Sequence, residues 1–166
     1  MNLVLIGNFV AARRSDSRAT ASVTPSTSNR TLAGRITATH DSSGPFQTPI
    51  RDLHLNVFQF RNVKFGGFCG AWKYKPRGNY LFEDNEVEKH LSNFPPVDIF
   101  ITHNSPRLVH DRDDEVHIGF AAFNHYMERA RPKFMLHGHQ HENIESRIGI
   151  TRIIGTYGHR MLVVPE

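Results

Sequence analysis

The 166-residue sequence has a single cysteine, Cys69, which excludes an internal disulfide framework and removes any sign of an oxidising compartment. It has no apolar run near the roughly 20 residues that span a bilayer, so no membrane partner is expected. The opening MNLVLIGNFVAA lacks a basic leader, and Gly7-Asn8 interrupts its apolar stretch, which argues against a secretory signal. A soluble, cytoplasmic protein is the expectation. Apolar residues are also scarce, at 39%, and acids are outnumbered: the net charge is +4. That balance permits an anionic partner, a phosphorylated molecule or a nucleic acid, without requiring one. The length suits one domain.

The apolar shortage is local. From Ala11 to Pro45 roughly a third of the residues are Ser or Thr, several are Arg, and large side chains are few. Such a segment cannot bury enough surface to offset its ordering entropy. Residues 9–50 are therefore expected to be a disordered or misassembled insertion. An organelle-targeting leader is the alternative, because the composition is Arg- and Ser-rich and acid-poor. Residues 1–8 would then be a residual core strand, and 51–166 the globular part.

The globular part has ordinary periodicity. LHLNVFQF, Leu53–Phe60, alternates like a half-buried strand, and NVKFGGFCG follows as its hairpin partner. Asn85 with Glu88 predicts a capping box for a short helix ending near Leu91. VDIFITH predicts a buried strand carrying His103 at its end. Val116, Phe120, Phe123, Met127 and Ala130 recur at helical spacing, predicting a helix from Glu115 to Ala130 that Pro132 stops. KFMLHGHQHENIES, GITRIIGT and RMLVVP predict three more strands. Strand, helix, then successive strands make a layered α/β protein.

The distinctive chemistry is histidine. His137, His139 and His141 occupy alternate positions of MLHGHQH. In an extended segment such residues share a side, so His139 and His141 could converge on one ion. Solvated loop histidines are the plain alternative. His103, at a strand end, and Asn8, after the first apolar run, stand where ligands for an open α/β sheet arise.

In chain order, GN after a strand, DIFITHNSP, and LHGHQH resemble the calcineurin-like metallophosphoesterase superfamily. The resemblance runs from about Leu53 to Pro165 and includes VKFGGFCGAWKYKP and the run from HIGF through RPKFMLHGHQH. It implies a layered β-sandwich flanked by helices, and hydrolysis of phosphate esters by a metal-activated hydroxide. It implies a divalent metal, Mn, Fe or Zn, with His103 and His139 as ligands of one ion and His141 of another. Asn8 matches the family's Asn ligand. His117 is expected at the helix head, leaning toward phosphate, and His137 behind the ligands. Substrates would be a phosphorylated small molecule or a phosphodiester.

The family's general-acid His and following acid are Phe9 and Val10 here. Neither can move a proton. The family's Asp-x-His and Gly-Asp motifs do not precede Asn8, so the pattern is N-terminally truncated, and one metal site is expected rather than two. The alternative is a non-catalytic metal- or phosphate-binding module, or an inactive remnant of a larger phosphoesterase. An uncovered sheet edge would favour self-association. Nucleic-acid binding is a third reading, from Lys73, Lys75 and Arg77 interleaved with Trp72, Tyr74 and Tyr80.

Overall fold

The computed structural model describes residues 2–6, 22–23, 32–35, 50–60 and 62–163. Its elements in chain order are β1 (Asn2–Ile6), β2 (Ser22–Val23), β3 (Leu32–Arg35), β4 (Ile50–Asp52), β5 (Val57–Phe60), β6 (Val63–Phe68), β7 (Ala71–Trp72) and β8 (Leu81–Phe82), then α1 (Asp84–Leu91), β9 (Ile99–Thr102), α2 (Ala121–Ala130), β10 (Phe134–His137), β11 (Ile144–Ile148), β12 (Thr151–Gly155) and β13 (His159–Val163).

Six strands form the main sheet in the order β11-β12-β10-β9-β6-β5. The four inner strands run parallel, while β11 and β5 pair antiparallel at the edges. Parallel neighbours need crossover connections, and α2 supplies the one from β9 to β10. Phe134 lies opposite Ile99, and His137 opposite Thr102. The fold is thus mixed α/β, as the periodicity predicts.

Strand alternation divides the core. Ile99, Ile101, Phe134, Leu136 and Ile154 face one side with Leu53, Phe65 and Leu162 of β13. Phe100, Met135 and Ile153 face the other, against Val87 and Leu91 of α1 and Phe123, Tyr126 and Met127 of α2. Both helices therefore cover the same face. Burying each of these aromatic side chains contributes about 1.5–3 kcal/mol. β1 and β13 pair antiparallel in a separate two-stranded sheet.

Several expectations need correction. The helix α2 begins at Ala121, six residues later than the spacing predicts. The Asp114 carboxylate takes the backbone N–H groups of Val116 and His117 at 3.0 and 2.9 Å. An acid that bonds nearby backbone in this way competes with the helix. At the other end Arg131 is left-handed and its N–H caps the Met127 carbonyl, ahead of Pro132. In α1 the cap is Glu83, not Asn85: the Glu83 N–H donates to the Glu86 carboxylate at 2.7 Å.

The hairpin of β5 and β6 is as expected, but it starts at Val57, because Leu55 turns at φ 53°. KFMLHGHQHENIES holds two strands, β10 and β11, with a chain reversal between them. β2 and β3 fall inside the stretch expected to lack structure; the rest of residues 9–49 lies outside the described residues. Among the described residues no helix is long and apolar enough to cross a membrane.

Candidate functional site

His103 follows β9 directly, at the carboxyl end of the parallel strands, and is 1% exposed. Its backbone is held from both sides: its N–H donates to the Phe68 carbonyl at 3.2 Å, and its carbonyl accepts from Gly138 at 3.1 Å. Those bonds join it to the ends of β6 and β10. The next strand, β10, ends at His137, so the H-x-H turn begins beside His103.

His139 and His141 do not lie on extended chain. Their φ angles are 64° and 53°, in the left-handed region. This corrects the expected geometry, in which strand alternation would bring them together. They approach a common neighbourhood because the chain reverses. Gln140 between them anchors the turn. It is 1% exposed, and its Nε2 donates to the Ser105 hydroxyl at 2.9 Å and the His117 carbonyl at 3.0 Å. Asn104 extends the same network by donating to the Ile118 carbonyl at 2.7 Å.

The imidazoles form a chain of ring contacts. His103 and His139 have centroids 4.7 Å apart, His139 and His117 4.9 Å, and His117 and His141 5.9 Å. Tyr157 flanks His141 at 5.8 Å. His117 is not at a helix head; it precedes α2 by four residues, and its Nδ1–H donates to Asp114 at 2.7 Å. His139 Nε2–H donates to the Val116 carbonyl at 3.0 Å, which leaves Nδ1 as its lone-pair nitrogen. Asn8 and Phe9 lie outside the described residues.

Burial holds His139 down to about 4, against the Val116 carbonyl, which favours the cation, while the nearby His117 and His141 lower it further. Burial likewise lowers His137 to about 3. His141 is lowered by burial, then by His117 and Arg112. All three are neutral at pH 7, the form in which imidazole ligates a metal.

Among the described residues, however, no group of three His, Cys, Asp or Glu side chains is arranged to hold a metal ion. The donor types suit a transition metal, but these residues do not by themselves enclose one.

Sequence reasoning missed four participants. Gln140 was visible only as the middle residue of H-x-H, and Asp114 only as one acid among several. His110 and Ser146 carry no motif, yet both bond within the same region. His110 Nδ1 lies 2.7 Å from His137 Nε2, and His110 Nε2 lies 2.8 Å from Ser146 Oγ. His137, expected behind the ligands, is 3% exposed and turned to His110. In the aromatic loop, Arg107 covers Trp72 at 5.5 Å and Lys73 pairs with Glu83 at 3.1 Å, so two of its polar and aromatic groups are already engaged.

No family model matches the chain, and no curated protein matches it. Among solved structures, TT1561 of Thermus thermophilus superposes with a TM-score of 0.47 at 15% identity, over 65% of this chain and 50% of that one. The chain thus spans about half the length of that protein.

Proposed function

We propose that the chain is a calcineurin-like phosphoesterase homologue that hydrolyses phosphate esters with a divalent metal. The six-stranded sheet would be part of that family's sandwich. The observation that carries the reading is the meeting of His103 and His139, 4.7 Å apart, at the carboxyl ends of adjacent parallel strands. Brought together in that place, with His141 two residues on, they match the family's ligand order. His103 and His139, with Asn8, would hold Mn, Fe or Zn at one site, and His141 would stand at the family's other metal position. When bound, the ion would supply Lewis acidity toward phosphoryl oxygens. The chain's own residues orient the ligand side chains: Gln140 fixes the turn, the Val116 carbonyl fixes the His139 tautomer, and Asp114 holds His117 beside them.

A second reading has its own support. Phe9-Val10 replaces the family's proton donor and acid, which favours a non-catalytic metal- or phosphate-binding module. The test is hydrolysis of chromogenic phosphate mono- and diesters in added manganese, beside His139→Ala. Manganese-dependent turnover lost in His139→Ala is the expected result. Absence of turnover from folded protein overturns catalysis and leaves the binding-module reading, which manganese titration by calorimetry then decides.

A further inference from the structure

We propose that Ser146, His110 and His137 form a second, metal-independent site that cleaves carboxylic esters with an apolar acyl group. The hydrogen-bond directions are fixed by chemistry. A carbonyl only accepts, so His137 Nδ1 carries the hydrogen and donates to the Gly138 carbonyl at 3.0 Å. In the neutral ring Nε2 is then the acceptor, so His110 Nδ1–H donates to it at 2.7 Å. That leaves His110 Nε2 as an acceptor, and the Ser146 hydroxyl donates to it at 2.8 Å. Hydroxyl, base and orienting group stand in the order that activates a serine on unrelated folds. Here a second imidazole occupies the place of the carboxylate. His110 and His137 are 5% and 3% exposed, so the relay is shielded, while Ser146 at its outer end is half-buried.

Ser146 lines a groove with Ile150, Arg147 and Arg152, and Ile150 also lines a neighbouring cleft of about 670 Å³ whose apolar side is formed with Leu108, Val109, Met127 and Ile148. Val109 precedes His110, and Ile148 lies two residues beyond Ser146 on the same face of β11. Its volume is in the range of small-molecule sites, about 300–1,000 Å³. Leu108 is 88% and Ile150 50% exposed, which leaves uncovered apolar surface for an acyl chain.

In the first step Ser146 Oγ forms a bond to the ester carbonyl carbon, and its proton passes to His110 Nε2. The carbon–oxygen bond to the alcohol then breaks, and His110 returns that proton to the departing alkoxide. Water repeats the sequence on the acyl-serine, releasing the acid and restoring the hydroxyl. Ser146 and His110 are the catalytic residues. His137 is a positioning residue, which holds the His110 tautomer.

The test uses the full chain in EDTA, so its outcome is independent of the metal reading. A fluorophosphonate probe is expected to add one label, mapped by mass spectrometry to the peptide holding Ser146, and to add none in Ser146→Ala. p-Nitrophenyl butyrate is expected to give a burst of phenolate followed by slower turnover. His137→Gln is expected to lower kcat at least tenfold per mole of folded protein, as counted by circular dichroism, and to shift the pH profile of kcat/KM, which a loss of folded protein leaves in place. Absence of label in the wild type, or label that persists in Ser146→Ala, overturns the proposal and leaves the relay a buried structural network.

Discussion

Gly119→Ala tests whether the loop before α2 is as tightly closed as the structure has it. A Cβ there would lie 2.5 Å from the Asp111 carboxylate, 2.7 Å from the Ser105 carbonyl oxygen and 2.8 Å from the Pro106 carbonyl carbon. Two of the three are backbone, so rotating a side chain away does not relieve the contact. Either the segment at residues 105–106 or the loop must move. Two backbone bonds cross this gap, Phe120 N–H to Ser105 and Arg107 N–H to Phe120, each 3.1 Å.

Overpacking costs about 1–3 kcal/mol, and weakening one or both bonds adds about 1 kcal/mol. Against this, alanine restricts the unfolded chain and returns about 0.4–1 kcal/mol. The clash wins, with a net loss of about 2 kcal/mol. At about 2–4 °C per kcal/mol for a chain of this length, thermal denaturation followed by circular dichroism should show Tm falling by about 4–8 °C. A Tm equal to or above the wild type's would refute the closure of this loop, and with it the placement of His117 and Gln140.

The turn of the β11–β12 hairpin offers the opposite case: Gly149 has φ 56° with nothing within 4 Å of an added Cβ, so only conformation opposes a side chain. Gly149→Ala should lose about 1 kcal/mol and Gly149→Asn less, by chemical denaturation; equal losses would refute the conformational account. Phe100→Ala removes a fully buried ring lying 4.4 Å from Tyr126, and a loss of about 3–5 kcal/mol is expected from urea unfolding. For Asp98, burial pushes the carboxyl up, but the Lys64 N–H at 2.9 Å and the Lys133 ammonium at 3.1 Å outweigh it and leave it below its ordinary value. An acid depressed on folding adds stability above its unfolded value and loses it as pH falls through the folded one. Asp98→Asn should therefore flatten the stability profile below about pH 4 and lower the plateau above it; an unchanged profile would count against the pairing.

Much of the sheet was legible because its inner strands are short apolar runs bounded by Gly, Pro or polar residues, as VDIFITH is. The His103 position followed from that boundary alone. What misled was local competition. The spacing from Val116 to Ala130 satisfies a helix, yet the Asp114 side chain takes backbone donors that a helix would need. The period of apolar residues does not record such a bond. Likewise His-x-His reads as strand, whereas Gln140, buried and bonded to two other loops, holds it as a reversal. The His110–Ser146 pair joins residues 36 apart in sequence, and no spacing rule anticipates it.

The two histidine environments should part company under mutation. His141 is exposed and left-handed, and its ring meets those of His117 and Tyr157. His141→Gly relieves about 1–2 kcal/mol of backbone strain, but glycine's freedom in the unfolded chain costs about 0.5–1 kcal/mol. Losing the Tyr157 contact costs about 0.5–1.5 kcal/mol. These nearly cancel, so Tm should stay within about 3 °C of the wild type while manganese-dependent turnover is lost. His137→Ala is different. It leaves the His110 N–H unsatisfied in a buried place, about 1–3 kcal/mol, and opens a cavity costing about 2 kcal/mol more. A drop of at least about 6 °C is expected there. If His141→Gly fell as far as His137→Ala, the exposed imidazole would be a structural prop. A turn built for stability alone would carry glycine at both left-handed positions, and this one carries histidine at both.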